Sequence, residues 1–438
     1  MVMEVVNIHY QGTLVGAVSY DTDSRQSAFE YDRQFIRNGI QLSPLMMPLS
    51  ERIYSFPSLS YETYKGLPGL LADSLPDDFG NAVLNAWVAA QGKSSAAITP
   101  LQRLQYTGLR GMGALEYRPA SQVKNLNSSQ EISIDSLVSI AQEILDQRTE
   151  FGVELRKGGQ EDREGMLALL SVGMSAGGAR PKAVLAFNNS FTEVRSGQSN
   201  VPAGFAHYLM KFDGVSEHNK DRETFGDPLG FGAMEYVYYL MATGCGIEMM
   251  PCRLLDEGSR RHFLTKRFDR HGNDKIHVQT LNGMAHVDYK QHGSYSYEQL
   301  LHTARQLGLS AKDAEQILYR MVFNIVARNH DDHAKNFAFI LNGSEWSLAP
   351  AYDIAYSYKP GSRWIETHWM RFNGKQDHFT REDFSGLGRL SPLFTESMVN
   401  QVIERVIDQV SQWPMLAKEH GVPTSLIKEV EKNLRLKI

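Results

Sequence analysis

The sequence predicts an α+β fold, in which strands and helices are segregated along the chain. Its 438 residues are 42% hydrophobic and 22% charged, a balance that is typical of a folded globular protein. Strands are predicted in the first hundred residues and again before residue 270. After about residue 295 the apolar residues recur at helical spacing. Strands followed by helices indicate α+β segregation rather than alternating βαβ units.

The first hundred residues are predicted to form a small separate domain of strands and turns. Strands are expected at Glu4–Tyr10 and 13–20, joined by a turn at Gln11 and Gly12. A short helix is expected at 77–91, and nothing in this part indicates a chemical activity by itself. The polar residues 121–134 are predicted to be a linker.

The rest of the chain is predicted to begin with a helix after Asp135, followed by two apolar runs at 167–172 and 183–187 that flank a glycine-rich segment. Further strands are expected at 206–212 and 262–268, with a helix at 231–243 between them. Ser310 and Asp313 have the spacing of a capping box and predict a long helix with one apolar face. Two more helices are predicted at 396–411 and 423–435.

The charge and the cysteines exclude several classes of protein. The net charge is −5 and no basic stripe dominates, so we expect nucleic acid to be bound only through a partner. Cys245 and Cys252 match no common zinc pattern and predict reduced thiols. The N-terminus lacks the features of a signal peptide. No apolar run approaches the roughly 18 residues of a membrane span. The sequence therefore predicts a cytoplasmic protein without membrane contact.

The segment from Arg328 to Asn336 carries the strongest chemical signal. Asp331 and Asn336 are separated by four residues, which is the spacing of the base Asp and the metal-binding Asn in protein kinases. A β-hairpin with its turn at 341–344 follows and leads to Asp353. Phosphoryl transfer needs a carboxylate that accepts the hydroxyl proton and oxygen ligands for magnesium. We predict that Asp331 is the catalytic base and that Asn336 and Asp353 bind the metal.

Two alternatives to this interpretation stay open on the residues alone. Asp and His residues in a polar loop can be solvated turn residues without a chemical role. The pair His330-Asp331 is also similar to the His-Asp pair of metal-dependent phosphohydrolases. That chemistry needs further histidine ligands, and His302 is the obvious upstream candidate.

The glycine-rich segment at residues 175–182 is a candidate phosphate-binding loop. Glycines let backbone N–H groups approach phosphate oxygens closely, although the pattern is not one of the standard phosphate loops. A plain hairpin loop is the alternative. The predicted nucleotide-binding residues of this loop are Ala176, Gly177, Gly178, Ala179, Arg180 and Lys182.

A second group of predicted nucleotide contacts follows. Lys211 ends an apolar strand, where kinases place the lysine that contacts the α- and β-phosphates, and Glu235 is a candidate ion-pair partner. The segment 263–270 is predicted to connect two lobes and to offer its backbone to adenine, with Lys266, Arg267 and Phe268 as the contacts.

Together these motifs resemble the HipA family, the kinase toxins of HipA–HipB toxin–antitoxin pairs. The segment 66–76 is similar to the small domain that precedes these kinase cores. The R-F-D-R motif is met by residues 267–270 and Gly-Ala-x-x-Lys by Gly178, Ala179 and Lys182. The P-x-Y-D-I motif is met by Pro350, Tyr352, Asp353 and Ile354. The signature N-x-D-x-H-x-K-N is met by Asn329, Asp331, His333, Lys335 and Asn336.

The resemblance implies a two-lobed protein-kinase-like fold with a β-rich N-lobe and a helical C-lobe, behind a small β-rich N-terminal domain. The expected boundaries are 1–120, 121–270 and 271–438. It also implies ATP and Mg²⁺ as cofactors, nucleotide contacts from His333 and Lys335, and phosphorylation of a serine or threonine on a protein. Arg180-Pro181 stands where better-known members carry Gln-Glu, and His333 stands where eukaryotic kinases carry lysine.

The resemblance further implies partners and a regulatory residue. The expected protein substrate is an aminoacyl-tRNA synthetase, and the expected partner is a HipB-like antitoxin that brings DNA into the complex. Ser175 stands seven residues before Lys182, where family members autophosphorylate. A phosphate there adds roughly −1.5 to −2 charges beside the nucleotide and should disfavour its binding. A catalytically silent partner of a DNA-binding antitoxin is the non-enzymatic alternative.

Overall fold

The structure is a computed structural model that describes residues 4–90, 92, 94, 98–120, 134–146, 180–216 and 226–438. The predicted linker up to residue 133, the apolar run 167–172, and Ser175 with the loop residues 176–179 lie outside the described residues. The chain forms two compact units. Unit 1 comprises 1–42, 47–232 and 253–277, and unit 2 comprises 43–46, 233–252 and 278–438. None of the described helices is both long and apolar enough to cross a lipid bilayer.

Unit 1 begins with an antiparallel sheet of strand order β3-β2-β1-β4. Every second residue of these strands is buried, because successive side chains point to opposite faces. The strands are β1 (Glu4–Tyr10), β2 (Thr13–Asp21), β3 (Gln26–Tyr31) and β4 (Leu115–Arg118). The helices in between are α1 (Arg33–Asn38), α2 (Tyr61–Tyr64), α3 (Gly69–Ala72), α4 (Asp78–Ala90) and α5 (Pro100–Thr107).

The second sheet of unit 1 has the strand order β10-β11-β7-β5-β6. Helices α4 and α6 (Ile134–Asp146) pack on one face of it, where Phe79, Val83 and Leu137 meet Leu185 and Met210. The strands are β5 (Lys182–Asn188), β6 (Val194–Ser196), β7 (Phe205–Lys211), β10 (Cys252–Glu257) and β11 (Arg260–Lys266). Two short pairs complete this part, β8 (Val215–Ser216) with β9 (Gly226–Asp227) and β12 (Arg270–His271) with β13 (Asp274–Lys275).

A buried charge cluster ties the loop before β4 to the segment after β11, all within unit 1. Asp269 is fully buried and accepts two hydrogen bonds from Arg267, at 2.8 and 2.6 Å. The same carboxylate accepts from the backbone N–H of Gly113 at 2.8 Å and from Arg270 at 2.7 Å. Arg270 also donates to the carbonyl oxygens of Gly111 and Gly113. The cluster therefore connects two segments about 156 residues apart in sequence.

Unit 2 is mostly helical around a small sheet of strand order β14-β15-β16. Its strands are β14 (His277–Thr280, of which the first residue belongs to unit 1), β15 (Ala338–Asn342) and β16 (Glu345–Leu348). Its helices are α7 (Phe231–Cys245), α8 (Leu281–Ala285), α9 (Tyr297–Gln306), α10 (Ala311–Val326), α11 (Glu396–Val410), α12 (Trp413–Glu419) and α13 (Thr424–Asn433). The first two residues of α7 belong to unit 1.

Most predicted elements are confirmed within two residues, and the differences have physical reasons. The capping box of Ser310 and Asp313 is present at the start of α10. In the predicted hairpin turn, Asn342 still pairs with Glu345, so the two-residue turn is Gly343-Ser344, with Gly343 at φ 63°. Helix α12 was not predicted, because seven residues are too few to show a helical repeat.

Candidate active site

The loop that carries the signature residues follows α10 directly. The helix ends at Val326 with Ala327 as its C-cap, and Arg328 turns the chain with a φ of 58°. The backbone N–H of His330 donates to the carbonyl oxygen of Ser357, and the backbone N–H of Ser357 donates to the carbonyl oxygen of Arg328. A short 3₁₀ helix, Ala334–Asn336, closes the loop. The loop is therefore paired with the segment that follows Asp353.

The structure brings Asn336 and Asp353 to one cleft within unit 2. The side-chain N–H of Asn336 donates to the carbonyl oxygen of Asp331 at 2.7 Å, which leaves the side-chain oxygen as a possible metal ligand. Asp353 adopts a left-handed backbone conformation, with φ 55°, directly after the hairpin and a bridge between Met249 and Ala351. Aspartate is one of the few non-glycine residues that tolerate this conformation. The predicted hairpin thus delivers Asp353 to the loop of Asp331.

Two residues of the same cleft were not predicted as site residues. The side-chain oxygen of Asn329 is buried, and within the described residues it has no hydrogen-bond partner, while its N–H group donates to Asn324. Arg320 lines the cleft from α10, and burial lowers its pKa to about 10. Neutral and anionic oxygens are the ligands that Mg²⁺ prefers. The oxygens of Asn329, Asn336 and Asp353 therefore fit a magnesium ion.

The side chain of Asp331 is accessible at the same loop. About 35% of it is exposed, and its Oδ1 lies 3.6 Å from Nε2 of His333. The ring of His333 packs edge-on against Tyr289 and Trp369. The ammonium group of Lys335 lies 4.5 Å from the centre of the Tyr289 ring. Asp331 is thus a carboxylate within reach of solvent, with the ring of His333 beside it.

The neighbouring Asp332 is fully buried and organises the segment after Asp353. Its Oδ2 accepts from the hydroxyl of Tyr297 at 2.7 Å and bonds Nδ1 of His368 at 3.0 Å. Its Oδ1 accepts from the backbone N–H groups of Trp369 and Met370 at 2.8 and 3.3 Å. One buried carboxylate therefore holds residues 368–370 against the loop of Asp331.

Replacement of Asp332 by Asn is expected to lower the free energy of unfolding by about 1–3 kcal/mol. The amide keeps an oxygen for the backbone donors but turns an N–H group toward Tyr297, whose hydroxyl already accepts from Asn324. Urea unfolding would measure the change. The exposed Asp408, whose replacement by Asn should leave stability within about 0.5 kcal/mol, is the control, and equal stabilities would contradict the role of Asp332.

His330 and His302, the histidines that a phosphohydrolase would use, lie in different surroundings. His330 is buried, with its ring 4.0 Å from that of His368. Burial lowers the pKa of His330 far below its usual range, and His368 and Arg328 act in the same direction. His302 is exposed on α9. In the part of the chain that the structure describes, no three His, Cys, Asp or Glu side chains are grouped to hold a metal.

The two predicted phosphate-contacting lysines lie side by side in the second sheet of unit 1. Lys182 on β5 and Lys211 on β7 are directly opposite each other in the antiparallel register. Both are buried, and Lys182 lies 3.3 Å from the carboxylate of Asp77. Cross-strand partners share one face of a sheet, so both lysines lie on the same face. Glu235 is buried on α7, in unit 2, and its pairing with Lys211 stays a prediction.

The remaining predicted nucleotide contacts have local structural partners. Lys266 ends β11, opposite Tyr208, and the backbone N–H of Arg267 donates to the carbonyl oxygen of His207. The guanidinium group of Arg267 is buried against Asp269, and Phe268 and Arg180 are half-buried. The roles of Lys266, Arg267, Phe268 and Arg180 toward adenine or phosphate stay predictions.

Comparison with known protein families gives two matches. The family model described as the HipA N-terminal domain matches residues 6–118. The model described as the HipA-like C-terminal domain matches residues 174–413, more than half of the chain. The first match contains most of the small N-terminal sheet, and the second contains the cleft and the loop of Asp331.

Comparison with individual proteins adds one curated relative and two solved structures. "Putative kinase Y4mE" of Sinorhizobium fredii is 24% identical over 124 residues, which are 26% of this chain and 30% of that protein. HipA from Shewanella oneidensis MR-1, solved with HipB and operator DNA, superposes with a TM-score of 0.68 at 16% identity, over 98% of this chain and 95% of that one. The Helicobacter pylori proinflammatory kinase CtkA gives a TM-score of 0.35 at 14% identity, over 59% and 90%.

Proposed function

The chain belongs to the HipA family, and from this premise we propose that it is an ATP- and Mg²⁺-dependent protein serine/threonine kinase, the toxin of a HipA–HipB-like toxin–antitoxin pair. The proposal includes the two-lobed kinase-like architecture. It is carried by one observation, the meeting of Asn336 and Asp353 at a cleft beside the loop of Asp331. The relative named as a kinase supports it over the short segment that it matches.

In this proposal, the loop of Asp331, the cleft and the glycine-rich loop divide the work of phosphoryl transfer. Asp331 accepts the proton of the attacking hydroxyl group, and His333 beside it contacts the nucleotide. Asn336 and Asp353 hold the magnesium ion, which when bound neutralises charge on the phosphates. Lys182, Lys211, Lys335 and Arg180 supply positive charge to the phosphates, and the loop residues 176–179 offer their backbone N–H groups. The backbone at 266–268 contacts adenine.

The partners are proposed from the same premise. The solved HipA of Shewanella oneidensis lies in a complex with HipB and operator DNA, and we propose a HipB-like antitoxin that contacts DNA for this chain as well. The substrate is proposed to be a protein of translation, such as an aminoacyl-tRNA synthetase, in the cytoplasm. Ser175 is proposed to be an autophosphorylation site. A catalytically silent co-repressor and a metal-dependent phosphohydrolase are the competing functions.

Incubation with γ-labelled ATP and Mg²⁺ separates these functions. A kinase transfers the label to protein, a phosphohydrolase releases it as phosphate, and a silent partner leaves ATP intact. Measurement of the intact mass, followed by mapping of the modified residue, tests autophosphorylation at Ser175 in the same samples. Release of all label as inorganic phosphate, without any on protein, would end the kinase proposal.

Replacement of Asp353 by Asn is expected to weaken binding of the magnesium–nucleotide complex by at least about 10-fold, and to lower turnover with it. The amide loses the negative charge that a divalent ion favours, and losses of 10–100-fold accompany even indirect changes around bound metals. Calorimetric titration with a non-hydrolysable ATP analogue, with and without Mg²⁺, measures the effect. The exposed Asp256, replaced by Asn, is a matched control. Unchanged magnesium dependence would remove Asp353 from the metal site.

A further inference from the structure

A buried ion pair links the part of the chain that matches the HipA N-terminal domain to the strand after the glycine-rich loop. The Nζ atom of Lys182 lies 3.3 Å from Oδ2 of Asp77. Only 4% and 3% of these side chains are exposed. Burial of two charges is costly unless their geometry and further hydrogen bonds compensate for the lost hydration. An ion pair buried this deeply in unit 1 therefore calls for a structural or functional reason.

Asp77 is held rigidly by the helix that it precedes. Its Oδ1 accepts from the backbone N–H of Gly80 at 2.6 Å, which caps the start of α4. The carbonyl oxygen of Asp77 accepts from the backbone N–H of Asn81. Helix α4 is in turn fixed by Phe79 and Val83 in the core against the second sheet. One carboxylate oxygen is thus occupied by the helix, and the other faces Lys182.

The position of Lys182 opposite Lys211 explains why Lys182 is paired with Asp77. Two buried ammonium groups on directly opposed residues of neighbouring strands repel each other, because like charges there are destabilising. A carboxylate beside one of them reduces this repulsion. An ammonium group has three N–H donors, so Lys182 can bind a carboxylate and a phosphate at the same time.

We propose that Asp77 is a positioning residue of the nucleotide site, which holds the ammonium group of Lys182 in place to receive a phosphate of ATP. The N-terminal domain thereby becomes a structural part of that site, rather than an independent module ahead of it. This inference rests on the proposed phosphate contact of Lys182. Burial raises the pKa of Asp77, and Lys182 and the N–H of Gly80 offset this only in part.

A double-mutant cycle on the full-length protein tests the coupling. The variants Asp77→Asn, Lys182→Met and the combination of both would be titrated with AMP-PNP and Mg²⁺, and their dissociation constants compared. Asp77→Asn is expected to weaken binding about 10-fold, within the range of coupling energies between residues of one ion-pair network. In the Lys182→Met background, the same change should have almost no further effect. Lys182→Met alone should weaken binding more than Asp77→Asn.

The adjacent Asp78 offers a matched control, because it is exposed in the first turn of the same helix. Asp78→Asn should bind the nucleotide like the wild type. If Asp77→Asn fails to fold, Asp77→Ser replaces it, since serine also caps a helix but lacks the negative charge. Wild-type affinity of a folded Asp77 variant, or additive effects in the double variant, would overturn the inference.

The outcome for Lys182 separates this inference from the proposed function. If Lys182→Met binds the nucleotide like the wild type, the proposed phosphate contact is wrong, and the inference falls with it. Label transfer to protein can persist in that case and would leave the kinase proposal standing. If Lys182→Met weakens binding and Asp77→Asn does not, only the inference is lost.

Discussion

Phosphoryl transfer to protein is expected to fall by about 10²–10⁴-fold when Asp331 is replaced by Asn, which is the range that a lost general base costs. The amide has nearly the same volume but cannot accept the proton of the attacking hydroxyl group. Binding of the magnesium–nucleotide complex should change little, since Asn336 reaches the loop through the backbone oxygen of Asp331 rather than through its side chain. Single-turnover transfer of γ-labelled phosphate would measure the rate.

Two controls make the result specific to the base. Asp408→Asn, an exposed change on α11, should transfer phosphate like the wild type. Nucleotide affinity of Asp331→Asn, measured separately with AMP-PNP, should stay within a few-fold, which distinguishes loss of the base from loss of the bound state. Transfer at the wild-type rate by the Asp331 variant would refute the mechanism.

Replacement of Asp269 by Asn is expected to lower the free energy of unfolding by about 3–5 kcal/mol, the cost of breaking a buried ion pair by removing one partner. The change leaves Arg267 and Arg270 facing each other without a counter-charge. Both guanidinium groups are almost completely buried. The cluster also holds the Gly111 and Gly113 backbone, so the loop before β4 should loosen with it. Chemical unfolding followed by circular dichroism would measure the loss.

The same variant should alter the dependence of stability on pH. Burial alone would raise the pKa of Asp269, but Arg267 and Arg270 hold it well below its usual range. A carboxyl group with a lowered pKa in the folded state stabilises the protein above its unfolded pKa of about 3.9. That contribution is lost as the pH falls toward the folded value. Asp269→Asn should therefore lose less stability on acidification than the wild type.

Asp274 provides the comparison for this prediction. It is exposed on β13, a few residues along the chain, and its replacement by Asn should change stability by no more than about 0.5 kcal/mol. A loss of under 1 kcal/mol in Asp269→Asn would show that the arginines find other partners or water, contrary to the prediction.

The elements that local sequence controls were predicted well. Ser310 and Asp313 cap α10 because their side chains bond backbone groups only three residues away, so nearby sequence contains all the information. The first hairpin follows from the Gln11-Gly12 turn between alternating strands. The hairpin before Asp353 was found, but its turn was placed one residue early, since the pairing of Asn342 with Glu345 depends on register.

The candidate site was predicted in part. Asp331, Asn336 and Asp353 could be selected because one loop and one hairpin, both local, determine their spacing. The spacing to Asn336 selects Asp331 over the adjacent Asp332 as the candidate base, but it does not show how differently the two carboxylates are buried. The tertiary structure leaves about a third of the first carboxylate exposed and buries the second against Tyr297 and His368, which are distant in sequence.

The sequence by itself determined the family signature, the order of strands and helices, and the set of oxygen-bearing side chains available for phosphoryl transfer. Only the tertiary structure decided which charged residues are buried together. Asp77 meets Lys182 across 105 positions, and Asp269 meets Gly113 across 156, which no local pattern encodes. The physical reason is that a capping residue or a turn forms hydrogen bonds within a few residues of itself. A buried charge must be compensated by a residue that is close in space, and the packing of the core decides which residue that is.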